Sequence, residues 1–98
     1  GVQHCAMGPG PNAWGQVNYG EGESPENNVH AALEQWVEKG RKPERLIAGK
    51  YDSDVGAVFQ PGKQKLLRSR PLCPYPQAAK YRGKGSTDDA ASFDCVAP

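Results

Sequence analysis

The sequence predicts an α/β segment that needs a larger body to lean on. Three observations point there. A single amphipathic helical pattern over residues 28–39 is followed by short strand-like runs. Leu, Ile, Val and Phe make up less than about a fifth of the chain, too little for a sizeable core. The cysteines number three, so one sulfur has no partner within the 98 residues. Length allows one domain at most, and twelve glycines and nine prolines call for many turns.

Residues 1–28 read as one irregular segment. Gly8-Pro9-Gly10-Pro11 continues neither a helix nor a central strand, and Asn12, Gly15, Asn18, Gly20, Gly22, Ser24 and Pro25 add turn chemistry. Trp14 and Tyr19 are the expected packing anchors. A long structureless run in a compact body is usually functional or packed against something else.

The helix comes next. Asn28 can accept a first-turn N–H, and Val29, Ala32, Leu33, Trp36 and Val37 form one apolar stripe, with Glu34 and Glu38 on the other face. Lys39 suits the carbonyl end and Gly40 the left-handed position beyond it. Such a helix must dock its apolar face. His30 falls off the stripe and is expected to be exposed. Arg41-Lys42-Pro43-Glu44 reads as a turn and Leu46 to Tyr51 as a strand. Val55 to Phe59 and Lys65 to Ser69 are expected to pair as a hairpin across Pro61-Gly62. Arg70 to Pro76, with three prolines, is expected to be extended and polyproline-like.

A formal net charge of +1 gives no reason to expect a nucleic-acid partner. Two basic stretches, Lys63-Lys65-Arg68-Arg70 and Lys80-Arg82-Lys84, lack the interleaved aromatics of a stacking platform and read as solvated faces. No run approaches the roughly 18–20 apolar residues of a membrane span. The start at Gly1 lacks the features of a signal peptide, and a chain beginning with glycine is expected to have been cut from something longer.

Cys73 and Cys95 lie 22 residues apart in loop-rich surroundings, and a bridge between them would close a loop worth roughly 3 kcal/mol on the chain-entropy model. Cys5 is then left over. It could be a thiol nucleophile with His4 as base, a metal ligand together with His4, or half of a disulfide to a cysteine outside the chain. Adjacent side chains on an extended segment diverge, which disfavours the first. Neither CxxC nor HxxxH spacing supports the second, so no metal site is expected. The odd count favours the third. A histidine on a loop ahead of a helix also fits the Ser, acid, His chain order of α/β-hydrolases, a weak signal alone.

The words His-Cys-x-x-Gly-Pro-Gly-Pro (His4 to Pro11), Trp36-Val37-Glu38-Lys39-Gly40, Pro43-Glu44-Arg45-Leu46-Ile47-Ala48, Arg70-Pro71-Leu72-Cys73-Pro74-Tyr75-Pro76, Ala79-Lys80-Tyr81-x-Gly83-x-Gly85 and Ala90-Ala91-Ser92-Phe93-x-Cys95 occur in this order. Together they resemble the C-terminal end of the tannase/feruloyl esterase family, most like its secreted fungal members. The resemblance implies the C-terminal part of an α/β-hydrolase fold spanning residues 1–98, and an extracellular serine esterase acting on esters of hydroxylated aromatic acids. It implies that His4 is the triad base, that Cys5 bonds a cysteine next to the nucleophilic serine, and that Cys73–Cys95 is the family's C-terminal disulfide. The partner would be the N-terminal portion of the same esterase, held through Cys5 and helix 28–39. No cofactor is implied in this chain, while the family's calcium would lie in the lid, outside it. Departures matter: neither G-x-S-x-G nor G-C-S-x-G is present, and Asp52, Asp54, Asp88, Asp89 and Asp94 all follow His4. The segment alone is therefore expected to be inactive. A disulfide-stapled secreted binding module is the competing class.

Overall fold

The computed structural model describes residues 2–16, 24–60 and 62–98. Among them, two small antiparallel sheets, two α-helices and a 3-10 turn at Ala90–Ser92 follow the opening loop. Tyr19 and Pro61, to which an anchor and a hairpin turn were assigned, lie outside the described residues.

Helix α1, Val29–Lys39, has the expected ends. Asn28 is extended and its Oδ1 accepts the N–H groups of His30 and Ala31 at 2.9 and 3.1 Å, satisfying two donors that have no partner inside the helix. Gly40 is left-handed at φ 68°, and its N–H reaches the Trp36 carbonyl. The first turn is also tied back to the opening loop, since Val29 N–H donates to the Trp14 carbonyl at 2.9 Å. His30 is exposed, as its place off the stripe predicts.

Strand β1, Leu46–Tyr51, pairs antiparallel with β2, Leu66–Leu72. The pairing differs from the expected hairpin. Residues Asp54–Phe59 form a short helix, α2, between the two strands. The Val55–Phe59 run is apolar enough to read either way. Ser53, whose Oγ accepts the Gly56 N–H at 2.9 Å, and Asp54 in the first turn decide it for helix. The extended Arg70–Pro76 segment is likewise split, because Arg70 to Leu72 complete β2. Pro71 fits there for a geometric reason. Ile47, opposite it, sends its N–H to Glu26 on the outer side at 2.6 Å. Pro71 thus sits at a non-hydrogen-bonded pair, and its missing N–H removes no ladder bond.

The second sheet pairs β3, Ala78–Tyr81, with β4, Phe93–Val96. Cys73 and Cys95 are bonded with Cα atoms 5.5 Å apart, tying the end of β2 to β4. Ser69 adds a second tie: its N–H donates to the Asp88 carbonyl and its Oγ accepts the Ala90 N–H. Tyr81 and Phe93, directly opposed, pack with tilted rings 5.6 Å apart, with the Arg70 guanidinium 4.8 Å above the Phe93 ring. Arg82 pairs with Asp94. Arg70 and Arg82 from the basic stretches are thus engaged in local contacts.

Among the described residues the buried apolar set is made of alanines: Ala13, Ala32, Ala48, Ala57 and Ala90. Larger apolar side chains face outward, including Leu33 (56% exposed), Trp36 (47%) and Val37 (76%) along α1, and Val55 and Phe59 on α2. Five methyl groups bury too little area to drive folding at about 25 cal/mol per Å². The Leu33, Trp36 and Val37 part of the α1 stripe is therefore an unpartnered face among the described residues.

Candidate active site

The opening loop has no regular structure, yet it is held at many points. Its fulcrum is Asn12, only 2% exposed. Asn12 Nδ2 donates to the carbonyls of Gly8 and Gly10 at 3.1 and 3.0 Å and to Asp54 Oδ1 at 3.2 Å. Lys50 Nζ reaches the same Gly8 carbonyl and the same carboxylate oxygen, both at 2.7 Å. Gly8 N–H completes the ring by donating to Asp54 Oδ2 at 3.3 Å. The Pro9 carbonyl accepts from Arg68. On the far side of Asn12, main-chain bonds join Asn12 and Ala13 to Gly49 in β1.

Why these residues converge is local. Lys50 lies near the end of β1 and Asp54 begins α2, so the turn at residues 52–53 swings the carboxylate back over the lysine. Burial pushes the Asp54 carboxyl up. Hydrogen bonds from Lys50, Asn12 and Gly8, with the lysine charge, outweigh burial and hold the carboxyl below its ordinary value.

Above this ring the chain turns over His4 and Cys5. Gln3 N–H bonds the Met7 carbonyl at 2.9 Å, closing a five-residue loop. Met7 takes φ 66°, a conformation costing a residue with a Cβ roughly 1–2 kcal/mol. Gln16 braces the loop from beside, its Nε2 meeting the carbonyls of Asn12 at 2.6 Å and Cys5 at 3.4 Å. His4 and Cys5 are both exposed at the crest, and the Cys5 thiol is free within this chain.

The two predicted pairs of sulfurs thus part company: Cys73 and Cys95 are joined, and Cys5 stands apart beside His4. Several other hydroxyls and carboxylates are engaged locally. Ser24, Ser53, Ser69 and Ser86 each accept a backbone N–H nearby. Asp52 and Asp89 cap backbone N–H groups, and Asp94 pairs with Arg82. Among the described residues no three metal-ligating side chains converge.

The sequence reading missed Asn12, Gln16, Lys50 and Asp54. Lys50 and Asp54 stand four apart, a spacing that reads as a solvated surface pair. Asn12 follows Gly-Pro-Gly-Pro and reads as turn chemistry. Nothing in the sequence signals that the three meet.

The tannase and feruloyl esterase family model matches residues 1–96. An uncharacterized esterase of Xanthomonas campestris is 43% identical over 98% of this chain and 16% of its own length. A probable feruloyl esterase B-2 of Neosartorya fischeri is 35% identical over 98% of this chain and 17% of its own. The crystal structure of an esterase from Aspergillus oryzae superposes with a TM-score of 0.81 at 35% identity, covering 98% of this chain and 18% of that one. The chain spans about a sixth of the length of these relatives. Given the match over nearly its whole length, this chain belongs to the tannase and feruloyl esterase family.

Proposed function

We propose that this segment is the C-terminal part of an extracellular carboxylic ester hydrolase acting on esters of hydroxylated aromatic acids, with His4 as its general base. One observation carries the reading: His4 and Cys5 are presented side by side, both exposed, on a loop braced by Gln16 and closed through the strained Met7. The names of the relatives supply the substrate class. The Cys73–Cys95 bridge suits an oxidising compartment, and among the described residues no helix is long and apolar enough to cross a membrane.

In this mechanism His4 takes the proton of a serine hydroxyl supplied by the rest of the protein as the oxygen attacks the ester carbonyl. Backbone N–H groups near the serine hold the oxyanion. Collapse expels the alcohol, which receives the proton from His4, and water repeats the cycle to release the acid. A carboxylate, also outside this segment, fixes the ring tautomer. Cys5 bonds a cysteine beside the serine and holds His4 against it. Leu33, Trp36 and Val37 dock on that same remainder, which would also hold any lid calcium.

In the complete protein, His4→Ala is expected to lower kcat by roughly 10^4- to 10^6-fold with KM nearly unchanged. Cys5 should resist alkylation in denaturant until a reductant is added. Retained turnover, or ready labelling of Cys5 without reductant, refutes the assignment. A free-standing binding module finds no support in an interior made of alanines.

A further inference from the structure

We propose that Asn12, Lys50 and Asp54 are positioning residues for the His4 loop; the proposal rests on His4 being the base. Four features set this ring apart from an ordinary surface ion pair. Lys50 and Asp54 are only 16% and 21% exposed at their side chains. Each makes a bond that crosses more than 40 residues of sequence to the same glycine, through opposite ends of one residue: Gly8 carbonyl to Lys50 and Gly8 N–H to Asp54. Asn12 donates to the Gly8 carbonyl and to Asp54 and is nearly fully buried. Gly8 is also the residue immediately after the strained Met7, where the loop carrying His4 closes.

Fixing both polar groups of one residue fixes the orientation of its peptide planes. Gly8 at φ 124° has no Cβ and so no rotameric packing to hold it. Without the ring, Met7 relaxes from its left-handed conformation and the crest bearing His4 rotates. A base displaced by about 1 Å loses about 100-fold in rate without losing substrate affinity. The ring touches no reacting atom; it acts through the backbone of Met7 and Gly8.

The test is a double-mutant cycle on kcat in the complete protein with an activated aryl ester, on which the slow variants stay measurable. Lys50→Met is expected to lower kcat about 10- to 100-fold and to change KM less than about threefold. Lys50→Arg should recover part of the loss. In the His4→Ala background Lys50→Met should cost nothing further, because the base it positions is gone. Asp54→Asn, equal in size, is run in parallel and should show the same pattern if Lys50→Met fails to accumulate. Wild-type kcat in both variants, or losses that multiply with that of His4→Ala, overturns the positioning role while leaving His4 its place. Full activity in His4→Ala overturns both.

Discussion

Gly15 and Gly40 offer a controlled pair, because both are left-handed, at φ 82° and 68°, and differ in what surrounds them. A Cβ on Gly40 meets nothing within 4 Å, so Gly40→Ala costs only the conformational preference, about 1 kcal/mol. A Cβ on Gly15 would lie 2.8 Å from Asn28 Cα and 2.8 Å from Asn28 Cγ. One of those atoms is main chain and cannot rotate away. Asn28 must therefore move, and with it go its two capping bonds, about 1 kcal/mol together, and the Val29 N–H bond to Trp14, about 1 kcal/mol more. Gly15→Ala should cost about 3 kcal/mol, against about 1 kcal/mol for Gly40→Ala. Hydrogen exchange of amides 29–32 in the complete protein reads the difference, with protection falling roughly 100-fold for Gly15→Ala. Equal losses in the two variants would show that the Gly15–Asn28 approach does not hold the start of α1.

Two further outcomes follow from the same framework. The Asp54 carboxyl titrates below its unfolded value of 3.8, so its contribution to stability is complete above that value and fades as pH falls through the lower folded value. Amide protection at Gly8 and Asn12 should decline below about pH 4 in the wild type and stay flat in Asp54→Asn; a decline in both sinks the attribution. Val37 is 76% exposed in this segment, and Val37→Asp should lower the urea midpoint of the complete protein by an amount equivalent to about 2–3 kcal/mol, an unchanged midpoint refuting docking by this face of α1.

Legibility tracked the distance over which each signal acts. Helix α1 was readable to the residue because its cap, stripe and terminating glycine are all local. Cys73 and Cys95 were readable because sulfurs in a loop-rich tail have few other uses. Helix α2 was misread as a strand because five residues hold too few turns for a period to show, although Ser53-Asp54 carried the start signal. The partner of β1 was not assigned, because pairing Leu46 with Leu72 spans a helix whose residues read as a strand. The polar ring was invisible because it joins residues 8–12 to residues 50–54, and each member has a commonplace local reading. Family resemblance singles out His4 and Cys5 as candidates and implies a bridge through Cys5, but carries no sign of the contacts from Asn12, Lys50 and Asp54 beneath them.

Among the described residues the largest fully enclosed side chain is that of Asn12. Where bulk fills an interior, Leu can stand in for Met at small cost. A carboxamide aimed at three separate acceptors has no such substitute, since an ionised aspartate sets oxygen against oxygen and a leucine leaves Gly8 and Asp54 to Lys50 alone and takes from the Gly10 carbonyl the bond Asn12 gives it. Laboratory evolution of this region should therefore drift freely through the methyl-bearing positions that await a cover, and stay frozen at a single amide.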